Sequence, residues 1–173
     1  ALALLDDGDE VLVMAAERLK SALHQGDEGD LNLYLLTPTD PEARNVVLGW
    51  STSPWQAEDA LKLDGVVIHE GSLPGGDLAS YDRGDTAVHE VGHWLGLLHT
   101  FEGGCSEPND LVKDTPAQGE PSSTCEVVKD TCDLPGTDPV HNFMDYAVDA
   151  CMNQFTPGQV SRMTDNWLAY RTP

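Results

Sequence analysis

The sequence predicts an α+β fold: a small sheet, a helix behind it, a second, buried helix, and an irregular disulfide-bonded second half ending in a C-terminal helix. Three observations carry this expectation. Short Leu- and Val-rich runs bounded by Pro, Gly, Asp and Asn are confined to the first half, where strands are expected. Helical periodicity recurs at the start, middle and end of the chain. All four cysteines, Cys105, Cys125, Cys132 and Cys151, lie in a Gly-, Pro- and Asp-rich later part.

Asp9 to Gln25 carries Val11, Met14, Ala15, Leu19, Ala22 and Leu23 near helical spacing, with Gly26 placed to stop the helix. Leu31–Leu36, Val46–Trp50 and Gly65–His69 read as strands. Asp85 is expected to N-cap a helix from Thr86 whose apolar residues Ala87, Val88, Val91, Trp94, Leu95 and Leu97 wrap most of its surface, so this helix should be buried. Phe101 to Pro139 shows little periodicity, and a loop of that length needs disulfides or ions to hold it. Thr156, Pro157 and Gln159 form a helix start, with Thr as N-cap, Pro at the first position and Gln at the third. Val160, Met163, Trp167 and Leu168 then predict the packing stripe of the last helix.

At 173 residues and 18.7 kDa the chain suits one domain, 1–173. Its net charge of −21 would repel a phosphate backbone, which argues against nucleic acid as a partner. No run approaches the ~18 apolar residues of a membrane span. The opening Ala1 to Leu5 is apolar but lacks the basic flank and length of a signal segment, so the chain reads as a mature or trimmed one. Four cysteines in a loop-rich stretch predict two disulfides and an oxidising compartment. A structural zinc site is the competing use, but no pair has C-x2-C spacing, and spacing alone leaves three pairings open.

His89-Glu90-Val91-Gly92-His93 sets two imidazoles four residues apart on one helix face, where both can meet one Zn²⁺. Glu90 cannot join them from that face, but it can reach a water on the ion and act as general base. Gly96, three residues past His93, can turn the chain so that His99 returns as third ligand and one position stays open. From the chain's own His, Glu and Gly frequencies, H-E-x-x-H arises by chance in roughly 1 chain in 80, and H-E-x-x-H-x-x-G-x-x-H in roughly 4 in 100,000. Three unrelated histidines are therefore the weaker reading.

With that extended motif the chain resembles the metzincin metalloproteases, whose second mark is a Met-turn. Asn142-Phe143-Met144-Asp145-Tyr146 looks like that turn, which implies Met144 as a hydrophobic base beneath the metal and Tyr146 near it. HEVGHWLGLLHTFEGGC, then DTPAQ at Asp114 to Gln118, HNFMDY and QFTPGQ are similar to the pappalysin family, including its small secreted archaeal, bacterial and fungal members. The resemblance covers about Leu31 to Trp167. It implies a secreted protein of two subdomains, an upper one over about 1–99 with a small mixed sheet and the active-site helix above a cleft and a lower one over about 100–173, with disulfides Cys105–Cys132 and Cys125–Cys151 and calcium held around Asp110 and Thr115 with nearby carbonyls. It also implies that Asp149, five residues past Met144, selects Arg or Lys after the scissile bond. One departure is that only 88 residues precede His89, whereas the family's domains begin with a further strand and backing helix. The helix at Asp9 replaces that helix, or an N-terminal part has been removed.

These residues together predict a secreted zinc endopeptidase. Zinc on His89, His93 and His99 would activate water and polarise the carbonyl, Glu90 would move the proton, and Tyr146 would donate to the oxyanion. An extended polypeptide substrate is expected to add to an edge strand, for which Gly65 to Leu73 is the candidate. The alternative is an inactive, calcium-stabilised peptide-binding module on the same fold, which an intact Glu90 argues against. Hydrolysis of a non-peptide amide is a third reading, disfavoured by the long cleft that the resemblance implies. His24, His69 and His141 read as surface, strand and packing residues, and Trp50, Trp55 and Trp94 as core or cleft wall. Nothing in the sequence speaks to oligomeric state.

Overall fold

Three β-strands share one mixed sheet in the order β1-β3-β2, where β1 is Leu33–Leu36, β2 is Gly49–Ser51 and β3 is Val66–His69. The computed structural model describes residues 7–37 and 46–172, and side chains from residue 13 onward within them. The apolar opening at Ala1 to Leu5 and the side chain of Val11 therefore lie outside the described residues. Strand β1 runs parallel to β3, pairing Leu33 with Val66 and Leu36 with His69, and β2 runs antiparallel to it, pairing Trp50 with Val67. All three strands fall inside or beside the expected runs, shortened because only these residues find ladder partners. β3 is central, which overturns Gly65 to Leu73 as a free edge. Among the described residues the antiparallel edge is β2.

Helix α1, Asp7–Leu23, covers one face of the sheet, where Ala16 packs with Tyr34 and Val67 and is joined by Leu19, Leu36 and Trp50. Its phase differs from the expectation: Met14, Ala15, Ala22 and Leu23 face outward, and Lys20 is buried beside Ala16. The Lys20 ammonium donates to Thr52 Oγ1 at 3.1 Å and to the Gly65 carbonyl at 2.9 Å, and burial pulls its pKa down to about 8. A short helix α2, Pro54–Ala57, was not anticipated, although Ser53 and Gln56 form a capping box around it.

Helix α3, Asp85–Trp94, covers the other face of β3, with Trp94 against Val66 and Ile68. No residue from 84 to 100 is exposed, as the all-round apolar pattern predicts. Its N-cap is Gly84 at φ 93°, not Asp85, which stands inside the first turn as a carboxylate near the helix's positive end.

Residues 95–156 contain no named helix or strand. Disulfides Cys105–Cys132 and Cys125–Cys151 cross this stretch, in the pairing implied by the resemblance. A buried amide, Gln118, joins its parts: it accepts from Thr100 Oγ1 at 2.6 Å and donates to Ser122 Oγ and Asp145 Oδ2 at 3.1 Å each. Helix α4, Pro157–Tyr170, closes the chain with the expected Thr156/Gln159 capping box. Asp114 also caps it, accepting from Thr156 Oγ1 at 2.7 Å and Gly158 N at 2.9 Å. The expected apolar stripe of α4 holds only in part: Met163 turns inward and the Trp167 ring lies 6.1 Å from that of Trp94, whereas Val160 and Leu168 are exposed. The inward side chains are Gln159, Arg162, Met163 and Asn166, followed by Arg171 just past the helix.

Candidate metal centre

The two histidines on α3 and His99 after it bring their Nε2 atoms together: His93 Nε2 is 3.1 Å from His89 Nε2 and 3.0 Å from His99 Nε2. A tetrahedral ion with Zn–N bonds of about 2.0–2.1 Å holds ligand nitrogens roughly 3.3 Å apart, so this spacing fits zinc. The outer nitrogens agree. His89 Nδ1 donates to the Phe143 carbonyl at 2.6 Å and His93 Nδ1 to the Leu97 carbonyl at 2.8 Å, which leaves each Nε2 with its lone pair inward. Burial, then the neighbouring His93, pushes His89 down to about 3 and His99 to about 2, and burial lowers His93 as well. Three neutral imidazoles with facing lone pairs repel one another unless a cation stands between them. Among the described residues this is the one His/Cys/Asp/Glu group with such a geometry.

Gly96 makes the return of His99 possible. It sits at φ 85°, and a side chain there would also strike Asn166 of α4. Gly92, between the two helical ligands, is needed for a different reason: a Cβ there would stand 2.5 Å from Met144 Sδ. Met144 is fully buried directly against this side of the helix. Its turn is fastened by Asn142, which accepts from Met144 N at 2.9 Å and exchanges two hydrogen bonds with Gln159.

Glu90 is buried beside the edge strand: a Cβ at Gly49 would lie 2.9 Å from its Cγ. Burial raises its carboxyl to about 8, against a smaller lowering by Lys20. Tyr146 packs edge-on to His99 with centroids 4.8 Å apart and is half exposed, and burial of its remainder raises the phenol above its ordinary value. Phe101, which the sequence reading passed over, stacks on His99 at 4.8 Å with rings 8° from parallel. Its place two residues after the third histidine was the available signal.

The remaining expected residues lie elsewhere. Asp149 is buried; its Oδ2 accepts from Arg83 N at 2.8 Å and its Oδ1 has no partner. Asp110 is buried too, with Oδ1 accepting from Val112 N at 3.0 Å, while its Oδ2 and the neighbouring buried Thr115 Oγ1 have at most each other as partners. Burial raises Asp110 to about 6. His69 Nδ1 accepts from Gly71 N, and His141 Nδ1 donates to the Cys151 carbonyl, so both serve local structure. Trp94 is core, whereas Trp55 is exposed.

A mixed sheet over a buried H-E-x-x-H helix, with a third histidine beyond a glycine turn and a methionine packed beneath, defines a metzincin-like α+β fold. The profile of peptidase family M43, described as pregnancy-associated plasma protein-A, matches residues 49–168, and the chain belongs to that family. It is 46% identical over 155 residues to an extracellular metalloprotease of Pyricularia oryzae, which covers 88% of this chain and 53% of the relative. It is 45% identical over 168 residues to extracellular metalloprotease 1 of Coccidioides posadasii, covering 95% of this chain and 57% of the relative. The chain thus spans a little over half the length of these relatives. Among solved structures it is similar to mature mirolysin of Tannerella forsythia in complex with a cleaved peptide, with a TM-score of 0.73 at 35% identity over 87% of this chain and 58% of that one.

Proposed function

We propose that this chain carries the catalytic centre of a secreted zinc endopeptidase. The observation that carries the reading is the convergence of three imidazole Nε2 atoms, two of them from the helix that also carries the buried Glu90. His89, His93 and His99 would hold the zinc, which when bound would supply the Lewis acidity that lowers the pKa of a water toward about 7 and polarises the scissile carbonyl. Glu90 takes the proton of the attacking water and passes it to the leaving amine. The Tyr146 phenol, kept protonated by its raised pKa, donates to the oxyanion when it turns inward. Met144 fills the floor beneath the helix. The relatives' names and the paired cysteines support an extracellular, oxidising location.

The substrate is an extended polypeptide that adds to strand β2, since that edge borders Glu90. Specificity for Arg or Lys after the scissile bond rests on Asp149, whose unpartnered, buried Oδ1 suits a cationic side chain. Calcium at Asp110 and Thr115 rests on a buried carboxyl oxygen, Asp110 Oδ2, and the neighbouring buried Thr115 hydroxyl, which have at most each other as partners in an acidic loop. Glu90→Gln tests the central reading against an inactive binding module: it should lower kcat by about 10²–10⁴-fold or more with zinc content unchanged. A zinc-loaded wild type that cuts no peptide in a proteome-derived library would overturn the reading.

A further inference from the structure

The turn that follows α3 poses a hydrogen-bonding problem that α4 helps to resolve. Near the end of the helix the backbone itself supplies donors, Leu95 N to Val91 O, Leu97 N to Gly92 O and Gly96 N to His93 O, as the chain turns away at Gly96. The next four carbonyls, those of residues 94 to 97, find donors that are all side chains. Trp94 O accepts from Arg171 Nη2 at 3.1 Å, Leu95 O from Asn166 Nδ2 at 3.0 Å, and Gly96 O from Arg162 Nε at 2.9 Å. Leu97 O accepts from His93 Nδ1. Two of the donors are guanidinium groups, which suit the negative end of a helix. The Arg171 guanidinium also pairs with Asp64, fully buried, and lies 3.9 Å over the Trp94 ring.

This turn is the connection between the second and third histidines. We propose that Arg162 and Asn166 are positioning residues for the metal centre: by holding the carbonyls of Gly96 and Leu95 they fix the turn that delivers His99 to His89 and His93. The same turn places Leu97 O, the acceptor that orients His93, so loosening it disturbs two ligands together. Asn166 gives the motif's glycine a second reason besides its positive φ, because the amide packs where a Cβ at Gly96 would stand. Helix α4 also grips the opposite side of the site through Gln159 and Asn142, so a single helix sets the turn after His93 and the turn bearing Met144.

The inference rests on the three-histidine zinc site, and the experiment separates failure of one from failure of the other. Zinc affinity is measured by competition with a chromophoric chelator, and ligand geometry by the visible absorption of the cobalt-loaded chain. A wild type that binds neither ion in one-to-one ratio refutes the zinc site itself. Given binding, Asn166→Leu, nearly the same size without a donor, and Arg162→Met, which keeps the stem, should each weaken zinc about 10–100-fold, the usual effect of removing an outer support of a ligand. Both should diminish the tetrahedral cobalt band. Arg162→Lys should recover most of the affinity, because an ammonium can still donate to Gly96 O. Ser161→Ala, exposed on the outer side of α4, should change nothing. Should Asn166→Leu fail to fold, the Met and Lys variants at the half-buried Arg162 decide the matter. Zinc affinity and cobalt spectrum equal to wild type in Arg162→Met, even with a lowered Tm, would overturn the proposal, since the stripe would then be packing alone.

Discussion

Replacing Gly92 by alanine should damage the metal centre although the residue ligates nothing. The added Cβ would lie 2.5 Å from Met144 Sδ, 3.4 Å from Met144 Cε and 3.5 Å from Leu97 Cδ1. Ordinary contacts of this kind sit near 3.5–4.0 Å, so the helix and the methionine must separate by roughly 1 Å. Met144 is fully buried and Leu97 nearly so, which leaves the methionine little room to withdraw. Overpacking of this size costs about 1–3 kcal/mol. At about 2–4 °C per kcal/mol for a chain of this length, Tm should fall by roughly 2–12 °C. The larger effect should be on activity, because His89 and His93 flank Gly92, and an ångström of misplacement costs on the order of 10²-fold in kcat. Thermal unfolding and steady-state peptide hydrolysis measure the two effects. Met144→Ala in the same chain should return part of both losses by making room for the methyl group, a coupling readable in a double-mutant cycle. A Gly92→Ala chain with Tm within about 1 °C of wild type and full kcat would refute the packing described.

Three further outcomes are expected. Asp149→Asn keeps an acceptor for Arg83 N but removes the charge, so cleavage before Arg or Lys should fall by about 10²-fold or more relative to other sites in a peptide library. In chelator, the raised Asp110 pKa makes the native state bind a proton that the unfolded chain has released, so stability should decline as pH rises from about 4 to about 6; Tm measured across this range with and without calcium should show the decline only without it. Loss of the Cys105–Cys132 bond by paired serine substitution frees a loop spanning a sequence separation of 27 and should cost about 3–4 kcal/mol in denaturant unfolding.

The parts of the site legible in the sequence are those whose chemistry is local. His89, Glu90 and His93 lie within one and a half turns of helix, and Gly96 and His99 follow within six residues, so helical geometry alone relates them. The Thr156 capping box is likewise a matter of four neighbouring residues. The errors share a cause. Apolar periodicity assigned the inward faces of α1 and α4, but those helices bury Lys20, Gln159 and, just past α4, Arg171. Such groups can be buried because Gly65 O, Asn142 and Asp64 stand opposite them, and those partners are 45, 17 and 107 residues away.

The sequence by itself located the three histidines, the glutamate next to the first of them and the glycine that turns the chain, because a metal's demand for three nitrogens at short spacing leaves a local signature. The tertiary structure alone decided that β2 and not β3 is the edge beside Glu90, that Met144 needs Gly92, and that α4 holds the turn to His99. Each of these depends on which buried groups satisfy one another across distant segments, and a buried polar residue declares its partner only when the chain is folded.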